Sequence, residues 1–409
     1  MMSNYFRIGL ILFSKLGGMI ATILFLPEYQ RLLGEKIFGL VAIILSIQAF
    51  ALVVDFGFST LINRSASVDS KSKSYCSWIS TQELLAAFYF LVLLVATIIG
   101  GIKEWNIILI IYSVLLIYSL VSHNISSFYL LGKTKIAFSS LSLLLSAIAR
   151  AFCGLLGIIY IGGIEGFLLG QFFASFTVMI FVNLTIYLSN SLGASVNRNY
   201  LDILKQSKIL LFVGVFGAAV TQLDKPIIGF YISIESVSAY FLAMTLCSLP
   251  LAVFGTPIFQ FFQPLITRAY HENDFRAIIN ISKTFFTYIS FVFICCVFGY
   301  ELLSEWFIFY WLGDMGIALA VKGYSDIMIY AYLIAMFGYW GFMFMNASED
   351  YQFQSIMSAV LSVLTLSLVT YFSALDEILS VIYVYVTYHL LSMIVGNLRG
   401  IKIIKSIRE

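Results

Sequence analysis

Long apolar runs separated by short polar turns make up most of the chain. They fall near 8–27, 37–58, 79–101, 105–127, 136–160 and 164–188, then resume near 207–232, 236–262, 278–300, 324–346, 354–373 and 376–396. A helix needs about 20 apolar residues to cross a hydrocarbon core of roughly 30 Å. Each run therefore predicts one membrane-spanning helix, twelve in all. A transmembrane barrel would show segments of about 10 residues with alternating polarity, and these runs are longer and unbroken. The expected fold is all-α and integral to a membrane. The first run is too long, and too weakly bounded by small residues, for a cleaved signal peptide. The stretch 301–322, which holds Trp306 and Trp311, is expected to lie along the interface on its two indole anchors.

Composition agrees with the pattern. Of 409 residues, 61% are apolar and 11% charged, against about 45–50% and about 25% in soluble domains. So few charges cannot coat a soluble particle, which excludes soluble enzymes and nucleic-acid binders. The five cysteines are an odd count, and Cys153, Cys247, Cys295 and Cys296 sit inside apolar runs. They read as small buried hydrophobes rather than a disulfide framework.

Basic residues accumulate in cytoplasmic loops. One alternating set of loops holds 16 of the 23 Lys and Arg residues, while the other holds Arg31, Lys36, Lys103 and Lys322. With an even number of spans, both termini are expected in the cytoplasm. An internal repeat is also visible. Leu61-Ile62-Asn63-Arg64 ends the second run and Leu265-Ile266-Thr267-Arg268 ends the eighth, both reading L-I-x-R. The expected organisation is two six-helix bundles, 1–195 and 196–409. An even number of helices in each half relates them by an axis along the membrane normal, with a cavity between.

Six ionisable residues fall inside runs: Lys15, Asp55, Glu83, Arg150, Asp224 and Lys225. Each costs about 2.5–3.5 kcal/mol at the bilayer centre, so depth decides their meaning. Lys15 is about 10 Å from its helix start and can snorkel. Asp55 and Glu83 lie within about a turn of the cytoplasmic face. Arg150 is about 21 Å deep and Asp224 and Lys225 deeper still, so these three are expected to line a cavity. Asp224 and Lys225 are about 100° apart on an ideal helix and are not expected simply to cancel. Pro226 follows them and breaks the backbone pattern. His123 lies in a polar stripe with Tyr118, Ser122, Asn124, Ser126 and Ser127. It reads as a hydrogen-bonded structural histidine, with proton coupling as the other possibility. No P-loop, nucleophile elbow, metal-spaced cluster or other catalytic constellation is present, so no enzyme is expected.

Three segments carry a family resemblance. Arg31-Leu32-Leu33-Gly34-Glu35-Lys36-Ile37-Phe38-Gly39-Leu40 resembles the first outer loop of polysaccharide exporters. Asp55-Phe56-Gly57 followed by Arg64 is similar to their "D-x-G … R", and Asp224-Lys225-Pro226-Ile227-Ile228-Gly229 to the "D-[KR]-x-x-[IL]-G" of their seventh helix. The chain thus resembles the O-antigen flippases (Wzx type) of the multidrug/oligosaccharidyl-lipid/polysaccharide exporter superfamily. The resemblance implies a V-shaped pair of six-helix halves in the bacterial inner membrane. It also implies translocation of undecaprenyl-pyrophosphate-linked oligosaccharide for lipopolysaccharide O-antigen. Lys15, Arg150 and Lys225 would then meet the pyrophosphate inside, and Arg64 and Arg268 would capture it at the mouth. Asp55, Glu83 and Asp224 would balance charge or carry a coupling ion, H⁺ or Na⁺, with no other cofactor. Polysaccharide polymerase and chain-length machinery are the protein partners that reading suggests, alongside membrane lipids. The alternative function is a cation-coupled small-molecule or drug antiporter of the same superfamily, which would favour an acidic cavity.

Overall fold

A computed structural model describes residues 4–53, 55–68, 71–102, 106–190 and 200–408. All regular structure among the described residues is helical. Among the described residues, ten helices are long and apolar enough to cross a membrane, so the chain is a multi-pass membrane protein.

The first two apolar runs form one element, α1 (Asn4–Val53), in which two helical stretches meet at Gly34 with φ 73° and ψ 166°. A residue with a Cβ is disfavoured at that φ, and Gly34 replaces the whole loop expected at 28–36. A second break follows. Phe56 and Gly57 have φ of 58° and 70°, after which α2 covers Phe58–Val68. Then come α3 (Lys71–Ile102), α4 (Ile107–Gly132), α5 (Ile136–Tyr160) and α6 (Gly163–Asn190). The seventh run is split into α7 (Tyr200–Gln222) and α8 (Asp224–Tyr231). The eighth is α9 (Ile234–Pro250), a π-helical turn over Leu251–Gly255, and α10 (Thr256–His271). Pro250 and Pro257, at the edges of that turn, lack the N–H that a regular helix would use. The last four are α11 (Phe275–Leu312), α12 (Met315–Ala347), α13 (Tyr351–Ala374) and α14 (Ile378–Arg408).

The stretch expected along the interface is not a separate segment. Residues 301–312 are the last turns of α11, which ends at Gly313 in the left-handed region (φ 69°). Asp314 then caps α12, its Oδ1 accepting from the Gly316 amide at 2.8 Å. The indoles of Trp306 and Trp311 belong to α11.

The backbone divides into two compact units, Met1–Ala218 and Ala219–Glu409. In the first, α4 packs against α2, α3 and α6, and α5 packs against α1 and α6. In the second, α12 packs against α10, α11 and α14, and α13 against α8 and α14. The same packing order thus recurs, with α10 to α14 in the places of α2 to α6. Small residues permit the closest approaches. A Cβ at Gly157 would stand 1.9 Å from the Gly166 carbonyl oxygen, and one at Gly341 would stand 2.2 Å from that of Gly396.

A buried polar network ties α3, α4 and α6 together. The Trp78 indole donates to Ser126 Oγ at 3.1 Å, and Gln82 Nε2 donates to the same oxygen at 3.0 Å. Ser126 in turn donates to Asn183 Oδ1 at 2.5 Å, and Asn183 Nδ2 donates to Ser122 Oγ at 3.1 Å. In an apolar surrounding each such bond is retained because the alternative is an unsatisfied group.

Candidate functional site

The deepest charges occupy one break in the second unit. The helix stops at Gln222 and restarts at Asp224, so Asp224 and Lys225 are the first two residues of α8. Lys225 Nζ lies 2.9 Å from Asp224 Oδ1, with the two side chains 2% and 0% exposed. An angle of about 100° between helical neighbours thus does not keep the two charged ends apart, because the lysine stem is long enough to reach back to the carboxylate. The carbonyls ahead of the break receive side-chain donors: Lys225 Nζ donates to Thr221 O at 2.6 Å and Tyr385 Oη to Val220 O at 3.0 Å. Tyr240 of α9 donates to Asp224 Oδ2 at 2.7 Å.

Tyrosines close around the pair. Tyr332 and Tyr385 lie near enough to Asp224 to interact with it electrostatically. The ring of His389 is 5.4 Å from each of them and 5.0 Å from Tyr388. Tyr332 Oη and His389 Nε2 are buried without a hydrogen-bond partner among the described residues. Lys225 was expected on a cavity wall; here its ammonium group is enclosed within the second unit. Sequence reasoning missed the aromatic enclosure. With 25 tyrosines in the chain, nothing in the pattern distinguishes these.

Arg150 sits mid-way along α5, partly buried. Its Nε donates to Ser146 O at 3.3 Å, a bond within its own helix. Its charge interacts with Tyr29 of α1 and His123 of α4. Tyr29 is fixed across the helix pair, its hydroxyl donating to Ala151 O at 2.5 Å. Among the described residues no carboxylate pairs with Arg150. His123 is buried, with Nε2 3.4 Å from both Ser142 Oγ and Ser127 Oγ.

The remaining sites fall apart from these. Asp55 is buried and caps α2, its Oδ1 and Oδ2 accepting from the Gly57 and Ser59 amides at 2.9 and 3.0 Å. The "D-x-G" segment is therefore a helix break and its cap, and both carboxylate oxygens are engaged within their own turn. Glu83 accepts from the Tyr200 hydroxyl at 2.5 Å, tying α3 to the start of α7. Arg64 is exposed on α2. Arg268 is 79% exposed on α10 and pairs with Glu272 at 2.8 Å. The side chain of Lys15, and the residues Lys103 and Arg198, lie outside the described residues.

Residues 30–315 match the family described as polysaccharide biosynthesis protein. The chain belongs to that family. No curated protein matches the sequence. Among solved structures, the chain is similar to the lipid II flippase MurJ in an inward closed conformation, with a TM-score of 0.76 and 15% identity over 99% of this chain and 88% of that one. It is also similar to an inward-facing multidrug resistance MATE transporter of the MOP superfamily (TM-score 0.66, 15% identity, 100% and 96% covered). A MOP superfamily transporter from Pyrococcus furiosus, described as having a binding pocket of reverse polarity, matches with a TM-score of 0.63 and 13% identity over 98% and 96%. At these identities the likeness establishes a shared fold.

Proposed function

We propose that the protein is a flippase that moves undecaprenyl-pyrophosphate-linked oligosaccharide, an O-antigen-type repeat unit, from the cytoplasmic to the periplasmic leaflet by alternating access. Twelve spans in two six-helix halves, both termini in the cytoplasm and residence in the bacterial inner membrane are parts of the same proposal. H⁺ or Na⁺ coupling would supply the direction.

The observation that carries it is the guanidinium of Arg150. A cation at mid-helix depth with no acid beside it among the described residues is expensive to maintain. An anion that arrives there relieves the cost, and guanidinium suits phosphate oxygens because its donors form a planar fork. The cation-antiporter reading needs the opposite: an acid without its base. Asp224, the deepest acid, already holds Lys225 at 2.9 Å.

Export of surface polysaccharide in a strain lacking the native gene tests this. Arg150→Ala should lower export by thirtyfold or more, about 2–5 kcal/mol of lost pairing, while protein level in the membrane stays normal. Arg150→Lys should recover only part, because the fork is lost. Full export by Arg150→Ala would overturn the flippase assignment of this residue. Unchanged export together with lost resistance to a cationic drug would favour the antiporter.

A further inference from the structure

The second unit has an open groove that the transport reading does not use. It encloses about 500 Å³ along the first turns of α11 and is lined by Ile279, Ser282, Lys283 and Phe286, with Trp340 of α12 and Ile404 of α14. That size falls within the roughly 300–1,000 Å³ of ordinary small-ligand sites.

Three polar side chains of α11 line this channel; the Thr287 hydroxyl already donates to the Lys283 carbonyl at 2.9 Å, which leaves Lys283 and Ser282 as the donors to consider. Lys283 is exposed, and among the described residues no carboxylate pairs with it. Ser282 is buried and accepts the Trp340 indole N–H at 2.9 Å, while its own hydroxyl proton meets no acceptor among the described residues. No carboxylate lines the groove. An apolar trough with a cation and a hydroxyl at one place fits an amphiphile whose polar part is a phosphate ester.

Depth agrees. With 38 residues, α11 is about 57 Å long, so it overhangs a roughly 30 Å core by about 13 Å at each end when centred. Lys283 is about 12 Å from the start of α11 at Phe275, which is the hydrocarbon boundary. Ile404 marks the same level independently. It lies about 39 Å along α14, whose 31 residues reach the far boundary at about 38 Å. The groove therefore straddles the layer where lipid phosphates sit, on the side of the α14 C-terminus. Lys402 and Lys405, both exposed on α14, add positive charge at that end.

We infer that this groove binds an anionic glycerophospholipid, with its phosphate on Lys283 and Ser282 and an acyl chain along Ile279, Phe286 and Ile404. A single ammonium suits a monoanionic phosphodiester better than a pyrophosphate. A zwitterionic headgroup would bring its own ammonium against Lys283.

The test is lipid retention by the full-length protein, purified in detergent, equilibrated with equal amounts of phosphatidylglycerol and phosphatidylethanolamine, and read by native mass spectrometry. The wild type should retain phosphatidylglycerol preferentially. Lys283→Gln should lower that retention about fivefold, the effect of one basic residue near a lipid surface, and Lys283→Arg should keep it. Arg276→Gln, an exposed change on the same helix outside the groove, should leave it unaltered. Unchanged retention in Lys283→Gln, or an equal fall in Arg276→Gln, would overturn the site in favour of diffuse surface attraction. Displacement of phosphatidylglycerol by an equal concentration of undecaprenyl phosphate would overturn the choice of lipid. Export is read separately, so failure here leaves the flippase proposal standing, and the reverse.

Discussion

Replacing Lys225 by Met should destabilise the protein far more than replacing Lys225 and Asp224 together. In the wild type the two side chains are 2% and 0% exposed and 2.9 Å apart. Lys225→Met leaves the Asp224 carboxylate with one remaining donor, the Tyr240 hydroxyl at 2.7 Å. Removing one partner of a buried pair costs about 3–5 kcal/mol, because the other charge is stranded. That is two to four orders of magnitude in the folded-to-unfolded ratio, at about 1.4 kcal/mol per factor of ten. Asp224→Asn strands the ammonium with only the Thr221 carbonyl and a neutral amide, and should cost a similar amount. The double variant Asp224→Asn, Lys225→Met removes both charges and keeps a group to accept from Tyr240. Its stability should return to within about 1 kcal/mol of wild type, since neutral replacement of buried pairs is often neutral or better.

The assay is a double-mutant cycle on purified protein in one detergent, following loss of the monodisperse peak with temperature or denaturant. Singles that each fall within about 1 kcal/mol of wild type, or a double equal to their sum, would refute the pairing argument. Export of the same variants separates structure from transport. Recovered export in the stable double variant would remove Lys225 from the transport path and leave it a role in holding the break between α7 and α8. A stable double variant without export would place the pair in the working cycle.

Other outcomes follow from single features. A reporter active only outside the cytoplasm should give signal when fused at Lys103 or Asp376 and none at Gly132, Arg198 or the C-terminus; signal from the C-terminal fusion would exclude an even span count. The Arg64→Lys, Arg268→Lys variant keeps charge placement but loses both forks, so polysaccharide export should fall at least several-fold; full export would confine the two arginines to topology. Gly341→Val should cost several kcal/mol of thermal stability, because a Cβ there would stand 2.2 Å from the Gly396 carbonyl, backbone that cannot move aside; an unchanged melting profile would contradict the close α12–α14 approach.

Long-range order was legible where one physical demand fixes it. Twenty apolar residues in a row must be buried in lipid or protein, and the boundaries of α5, α6 and α13 follow the runs to within three residues, whereas α12 begins nine residues before its run. Breaks were not legible, because they depend on local backbone chemistry rather than on hydropathy. Gly34 alone turns the chain where a loop was expected, and Asp55 ends a run by capping the next helix. Of the two hydroxyls beside His123, that of Ser127 belongs to its own polar stripe, while that of Ser142 comes from α5 and no local pattern points to it. The contact of Asp224 with Lys225 was not legible from the helical angle, because neighbours about 100° apart meet only through the reach of the lysine stem. The tyrosines around it come from α9, α12 and α14, and no local pattern links residues so far apart in sequence.

The two units share a packing order yet handle a deep base differently, and this difference bears on substrate charge. In the second unit, Lys225 is matched by Asp224 and sealed under aromatic rings. Its charge is balanced before any substrate arrives, so an anion gains little by approaching it. In the first unit, Arg150 has Tyr29 and His123 beside it and no acid among the described residues. Its uncompensated charge favours whatever anion can reach it, and the gain is larger where the surroundings are apolar. A substrate with a charged phosphate group would therefore be held mainly by the first unit. The clearest sign would be asymmetric: Arg150→Ala should abolish export in a protein of normal stability, whereas Lys225→Met should first reduce stability. If instead the two substitutions lose stability and export in parallel, the charges serve the fold alike, and the division of labour between the units is wrong.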